Sequence, residues 1–357
     1  MSEKKAINIG AHRIGPGRPV FVVAELSANH MRSFSLAVKT IRAAKKAGAD
    51  AVKMQTYTPD DMTIDSGRKY FRIRHKTLWD GQTLYELYKR AYTPWEWYPR
   101  LKKAAVETGI TLFSTPFTKA GADFLQAAGV PAYKIASFEI TDVPFIEHVA
   151  AKGKPVIIST GIAARSEIAG AVAACRRKGN DKIVLLKCAS VYPAPPEDAN
   201  LAMIPRLTKD FGCLSGLSDH SRGIASAIAS VPLGASVIEK HFILDKKLKG
   251  PDSVFSADPG EFRAMADAVR IASAAIGRAG YALSPQAAKN RVFSRSLFIV
   301  KDMKKGAVMT DENVRSIRPG HGMKPVFLRS VLGRRVTRDV KRGTPLSREL
   351  VGRKNGS

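Results

Sequence analysis

The chain is short of several things, and each shortage excludes something. It has three cysteines in 357 residues, Cys175, Cys188 and Cys213. That is too few and too scattered for a disulfide framework or a thiolate metal cluster, so they read as packing residues. No uncharged apolar run approaches the ~20 residues of a membrane-spanning helix. The polar start MSEKKAINIGAHRIG lacks the apolar core of a secretory signal. The expectation is a soluble, cytoplasmic protein with no membrane partner. Acidic residues are scarce too: 31 Asp and Glu face 58 Lys and Arg, a formal charge of +27. Disorder is excluded, because 45% hydrophobic and 8% aromatic residues suffice for a sizeable core.

The charge is uneven. From Lys289 to the end, 18 Lys and Arg stand against 5 Asp and Glu, a net +13. Such a tail fits a nucleic-acid footprint, a solvated surface, or a field that attracts small anions. Nucleic-acid binding calls for exposed aromatics among the basic residues. The tail has only Phe293, Phe298 and Phe327, at spacings that suit a core, so no nucleic-acid partner is expected.

Between residues 20 and 280, apolar and β-branched runs alternate with segments of helical period. The runs are FVVAEL (21–26), AVKMQTY (51–57), TLFSTPF (111–117), AYKIAS (132–137), PVIIST (155–160), IVLLKCAS (183–190), CLSGLSD (213–219) and SVIEKHF (236–242). Runs without strict alternation suit parallel strands buried on both faces. Eight strand–helix units predict an α/β fold, a (β/α)₈ TIM barrel over residues 1–280; a doubly wound open sheet is the alternative. Residues 58–93 are too long for an ordinary connection. They leave the carboxyl end of the second strand, so they read as a lid, or as an insertion with Trp79, Tyr85 and Tyr88 as its own small core.

Residues 281–294 read as a linker. Beyond them, residues 295–357 form a small β-rich domain with an internal repeat at a spacing of 37. Lys301-Asp302-Met303-Lys304-Lys305-Gly306 is echoed by Arg338-Asp339-Val340-Lys341-Arg342-Gly343. Two copies are too few for a solenoid, so a pseudo-symmetric fold is expected.

In a barrel, chemistry sits where strands run into their following loops, and polar residues gather there: Glu25, Lys53 with Gln55, Thr115, Lys134 with Ser137, Ser159, Ser190 with Tyr192, Ser218 with Asp219 and His220, and Glu239 with His241. Residues two apart share a strand face. Two interior lysines among hydroxyls make an anion site for phosphate or carboxylate; the alternative is structural pairing to Glu25 or Glu239. His220 and His241 suit a divalent metal with open positions, or are hydrogen-bonded core histidines. An aldolase or isomerase acting on sugar phosphates through Lys134 is a further reading.

The motifs AELSANH (24–30), VKMQTY (52–57), STPF (114–117), YKIAS (133–137), ISTG (158–161), YPAPPED (192–198), SGLSDHS (215–221), IEKHF (238–242) and GPDSVFS (250–256) together resemble the sialic acid synthase family. The tail, with RPGHGMKP (318–325), resembles that family's SAF, or antifreeze-like, domain. The resemblance implies condensation of phosphoenolpyruvate with an amino sugar. AELSANH and the lid segment LYELYKRAYTPWEW (84–97) resemble members acting on a diacetamido trideoxy hexose. It further implies a divalent metal, Mn²⁺ or Mg²⁺, on His220 and His241. Lys53, Lys134, Thr115, Ser137, Ser159, Ser190 and Ser218 would hold phosphoenolpyruvate. Gln55, Glu25, Tyr192 and Asp252 would position the sugar, with Glu25 as proton acceptor. A domain-swapped homodimer would bring Arg318 from the partner's SAF domain. Met31-Arg32 stands where many relatives carry Asn-Gly, and Ser190 where many carry Asn.

Overall fold

A computed structural model describes residues 6–74 and 77–354, in two compact units that divide after Gly277. The first opens with a hairpin, β1 (Ile7–Ile9) against β2 (His12–Ile14). Eight parallel strands follow: β3 (Phe21–Glu25), β4 (Ala51–Thr56), β5 (Thr111–Pro116), β6 (Tyr133–Ile135), β7 (Val156–Ser159), β8 (Ile183–Cys188), β9 (Leu214–Asp219) and β10 (Val237–His241). They close in sequence order, β10 pairing with both β9 and β3. The closed barrel settles the choice against an open sheet, and its strands coincide with the eight apolar runs.

The helices start and stop where local chemistry directs. Ser33 accepts a hydrogen bond from the Leu36 amide and caps the helix Phe34–Lys46. Gly109, at φ 70°, closes the helix Tyr98–Thr108 in the left-handed conformation that side chains resist. Ile9 and Ile14 of the hairpin are buried in the barrel core. A Cβ on Gly10 would lie 2.9 Å from Oγ1 of Thr111, the first residue of β5. The hairpin therefore seats on the amino-terminal end of the barrel, opposite the strand ends that carry the polar residues. Three-residue strands carry no readable period, so the sequence reading passed over it.

The long connection after β4 contains the short helix Pro59–Met62 and the helix Leu84–Ala91. Its aromatics do not form one small core. Tyr88 packs edge-on against Tyr57 at 5.8 Å between ring centroids, while Trp79 lies 5.7 Å from Tyr192.

In the second unit, β11 (Ser296–Ile299) pairs with β12 (Val314–Ile317), and β13 (Arg334–Val336) with β14 (Val351–Lys354). The segment read as a linker holds the helix Pro285–Asn290, capped by Ser284. Among the described residues, no helix is long and apolar enough to cross a membrane.

At Gly216, paired with Val237 of β10, a Cβ would lie 2.1 Å from the Val237 carbonyl oxygen. Gly216→Ala should cost about 3 kcal/mol, the upper end of an ordinary overpacking penalty. Chemical denaturation measures this, and an unchanged midpoint would show that the strands part freely.

Candidate active site

Four charged side chains meet inside the carboxyl end of the barrel. Glu25 ends β3, Lys53 lies level with it on β4, Lys134 is central in β6, and Glu239 is on β10. None is more than 4% exposed. Lys53 Nζ lies 2.8 Å from Glu25 Oε2 and 3.7 Å from Glu239 Oε1, and it donates to Thr115 Oγ1 at 3.1 Å. Lys134 Nζ is 3.6 Å from the same Glu239 oxygen. Ser218 Oγ donates to that oxygen at 3.1 Å, while Gln55 Nε2 donates to Glu25 Oε1 and Ser27 Oγ, both at 3.1 Å. The lysines are thus ion-paired to Glu25 and Glu239, the pairing the sequence offered as an alternative to anion binding. An isolated charge could not persist at this depth, so the pairing is what makes buried cations possible here.

The balance differs from group to group. Burial pushes the Glu25 carboxyl above its ordinary value, and Lys53 only partly offsets this. Burial likewise lowers the Lys134 ammonium, with Glu239 opposing. For Glu239 burial works upward, but Lys134 and Lys53 outweigh it and hold the carboxyl low. For Lys53 burial works downward, and Glu239 and Glu25 outweigh it. Glu25 is accordingly the more basic carboxylate and the better proton acceptor.

Serine hydroxyls gather around Gly161 and Cys188. The Gly161 amide donates to Ser137 Oγ at 3.2 Å, and Ser190 Oγ lies 4.0 Å from Cys188 Sγ. Ser159 Oγ, at the end of β7, is buried without a hydrogen-bond partner among the described residues. Cys188 is 1% exposed, as the packing reading expects, and its Sγ lies 3.6 Å from His220 Nδ1. Burial raises its thiol, but His220 and Lys134 reverse this and bring it to about 7.

His220 and His241 stand 5.3 Å apart between ring centroids. His220 Nδ1 lies 3.0 Å from the Ala189 carbonyl, which can only accept, so Nδ1 donates and a neutral ring keeps its lone pair on Nε2. His241 is held well below the ordinary imidazole value by burial and by His220, hence neutral. Its Nδ1 has no hydrogen-bond partner among the described residues and lies 4.0 Å from Asp252 Oδ2. Burial lowers the His220 imidazole, but Cys188 and Glu239 outweigh it and leave it above its ordinary value. A divalent ion would compete with that proton, and once the proton leaves, the two rings offer the lone pairs such an ion needs. Among the described residues no group of three or more His, Cys, Asp or Glu side chains is placed to hold one, so further ligands would come from substrate or water. Tyr192 lies against His220 at 4.4 Å and against Phe255 at 5.2 Å.

The barrel unit therefore gathers Glu25, Lys53, Gln55, Thr115, Lys134, Ser137, Ser159, Ser190, Tyr192, Ser218, His220, His241 and Asp252 at one end. Arg318 belongs to the second unit, where it is exposed. Asn29 and His30 serve the loops: Asn29 Nδ2 donates to Phe242 O and Ser256 Oγ, and His30 Nε2 is 2.9 Å from Thr93 Oγ1. Met31 and Arg32 have φ 47° and 57°, the left-handed turn that Asn-Gly adopts readily. Arg32 lies 3.9 Å over the Tyr92 ring and donates to the Lys89 carbonyl.

Two site residues escaped the sequence reading. Gly161 has no side chain to notice. Glu139 sits not on a strand but on the one-turn helix Ser137–Glu139, with Oε2 buried and unpartnered among the described residues. Its place two residues after Ser137 was the only available signal.

Residues 40–281 match the NeuB family and residues 294–351 match the SAF domain. The chain is 47% identical, over 92% of its length and 96% of the relative's, to the pseudaminic acid synthase of Campylobacter jejuni. It is 44% identical to the pseudaminic acid synthase of Helicobacter pylori, covering 94% of this chain and 99% of that one. The crystal structure of N-acetylneuraminic acid synthetase from Leptospira borgpetersenii in complex with citrate superposes with a TM-score of 0.72, at 31% identity over 80% of this chain and 95% of that one.

Burial raises Glu139 from 4.5 to about 7, with Lys134 opposing. The folded state then keeps a proton that the unfolded chain has released, so this group's contribution to stability is lost as pH rises from about 4.5 through about 7. Glu139→Gln should therefore raise the denaturation midpoint more at about pH 8 than at about pH 5; equal shifts would show that the carboxyl ionises freely. At Gly161, a Cβ would lie 2.1 Å from Ser190 Oγ and 2.9 Å from Ser137 Oγ. On the reading that these hydroxyls take phosphoenolpyruvate, displacing one contact in Gly161→Ala should weaken its binding about tenfold, at ~1 to 1.5 kcal/mol per hydrogen bond. Calorimetric titration checks this, and an unchanged Kd would place these hydroxyls outside the site.

Proposed function

The chain belongs to the NeuB family, and from that premise we propose that it condenses phosphoenolpyruvate with 2,4-diacetamido-2,4,6-trideoxy-β-L-altropyranose, releasing pseudaminic acid and phosphate. The similarity to two pseudaminic acid synthases over more than nine-tenths of the chain supports the substrate. The observation that carries the chemistry is the pair of buried lysines at Glu239, with the serine hydroxyls that gather around Gly161.

Lys53 and Lys134 take the phosphate and carboxylate of phosphoenolpyruvate, helped by Thr115, Ser137, Ser159, Ser190 and Ser218. Lys134 is free to turn toward an anion, its Glu239 partner being 3.6 Å away and so beyond close hydrogen-bond reach. C3 of the enol attacks the open-chain aldehyde, forming the new carbon–carbon bond, and the aldehyde oxygen takes a proton. Water adds at C2 and gives up a proton, for which Glu25 is the acceptor. The resulting hemiketal phosphate breaks the bond from C2 to the phosphate oxygen as its C2 hydroxyl becomes the ketone, and the hydroxyl proton leaves with the phosphate. A divalent ion, Mn²⁺ or Mg²⁺, held by His220 and His241 would supply Lewis-acid polarisation of the aldehyde. Gln55, Tyr192 and Asp252 position the sugar, and Glu139 adds a further polar contact.

The working form is read as a homodimer in which the partner's SAF domain covers the barrel mouth and brings Arg318 to the sugar. Exposed apolar side chains on the carboxyl-end loops, Ile64, Tyr70, Phe138, Ile162, Val191 and Val254, support a partner there, since such groups favour cover. The cytoplasm, where phosphoenolpyruvate is made, is the expected location.

Phosphate release should require phosphoenolpyruvate, the diacetamido altrose and a divalent ion together. N-acetylmannosamine or a legionaminate precursor turning over faster would overturn the substrate assignment while leaving the family untouched. His220→Ala and His241→Ala should each abolish metal-dependent turnover. Borohydride should not label Lys134, and labelling would favour a Schiff-base aldolase.

A further inference from the structure

Asp219 and Lys240 are buried and charged, yet lie outside the chemistry just described. Each immediately precedes one of the two histidines. Along β9 and its continuation, Ser218 and His220 share the inward face, so Asp219 points outward; on β10, Glu239 and His241 point inward and Lys240 outward. The two residues are in register on adjacent strands and are 3% and 2% exposed. Lys240 Nζ lies 2.7 Å from Asp219 Oδ2. The other carboxylate oxygen, Oδ1, accepts from the Ser221 amide at 2.9 Å and from Ser221 Oγ at 2.6 Å, while Lys240 Nζ also donates to the Ser221 carbonyl at 2.8 Å. His220 is thus bracketed. The residue before it carries the carboxylate, and the residue after it is held through its amide, its hydroxyl and its carbonyl.

We propose that the Asp219–Lys240 pair positions the two imidazoles for divalent-ion binding, fixing the turn that carries His220 to the strand that carries His241 from the outer face of the barrel. The proposal rests on the assignment of those histidines as ligands. A buried ion pair is a poor device for stability alone, because desolvation cancels much of its attraction. It is directional, however, and apolar packing at the same place would not fix the turn's rotation. Groups that orient metal ligands from behind typically change metal affinity about 10- to 100-fold when removed.

The test is Mn²⁺ titration of the folded, substrate-free protein, followed by electron paramagnetic resonance of the free ion, with a thermal denaturation curve for each variant. The double variant Asp219→Asn with Lys240→Met leaves no unpaired buried charge. It should bind Mn²⁺ about 10- to 100-fold more weakly while keeping a cooperative transition. Unchanged affinity with a lowered midpoint would overturn the proposal and leave the pair a folding element. Asp219→Glu keeps the charge and moves the carboxylate by one methylene. It decides the matter alone if the double variant does not fold: severalfold weaker binding supports positioning, and parental affinity refutes it. His220→Ala and His241→Ala in the same titration separate the two levels of the argument. Mn²⁺ binding that survives both would remove the histidines as ligands, whatever the pair does.

Discussion

The requirement that two lysines be kept charged inside a barrel organises the rest of the molecule. Each ammonium taken from water needs an opposite charge within a few ångströms. Glu25 and Glu239 supply them from the two strands where the barrel closes, β3 and β10. The two pairings are unequal. Glu25 is in close contact with Lys53 at 2.8 Å, whereas Glu239 stands 3.7 and 3.6 Å from Lys53 and Lys134. Lys53 also has the close Glu25 contact and the Thr115 hydroxyl, so Lys134 is the less satisfied of the two cations. On the proposed chemistry an arriving anion meets Lys134 without first dismantling a tight ion pair, whereas at Lys53 it shares the ammonium with Glu25. Of the centre's two carboxylates only Glu25 is left above its ordinary value, and that makes it the more basic of the pair.

How much of this was legible in the sequence follows from which faces and which elements hold the parts. Parallel barrel strands are buried on both sides, so they read as continuous apolar runs, and all eight stood out. Lys53, Gln55, Glu239 and His241 were legible because the two-residue strand period puts them on one face. The same period hid Lys240: it lies on the outward face of β10, where a charge reads as a residue pointing away from the chemistry. Glu139 and Gly161 lie past the strand ends, where no period operates. Their roles come from the close approach of neighbouring loops. Asp252 was reachable only through resemblance, because it sits in a loop after β10 and meets the Ala28 amide, 224 positions away in sequence.

The first loop shows how one motif serves several elements. Asn29 reaches the end of β10, His30 reaches Thr93 beyond the helix Leu84–Ala91, and Arg32 lies on Tyr92 and the Lys89 carbonyl. The left-handed backbone at Met31 and Arg32 costs about 1 to 2 kcal/mol per residue relative to glycine. The contacts of Arg32 to Tyr92 and Lys89, with the packing of Met31 against Gly250, work against that cost.

The tail repeat follows the same logic of mutual pairing, although its Lys–Asp pairs cancel and leave the basic excess untouched. Met303 and Val340, equivalent positions 37 apart, exchange both backbone hydrogen bonds at 2.9 Å. Around them Lys304 Nζ meets Asp339 Oδ2 and Lys341 Nζ meets Asp302 Oδ2, each at 2.8 Å. The Lys305 amide donates to Asp339 and the Arg342 amide to Asp302, again at 2.8 Å. Each copy supplies what the other lacks, so the repeat closes on itself about a pseudo-two-fold axis. Its two copies suffice where a stacked array would need more. Each aspartate is therefore fixed by the opposite copy. The adjoining basic residues outnumber these carboxylates, and their charge is left for solvent and for the field that draws anions toward the protein.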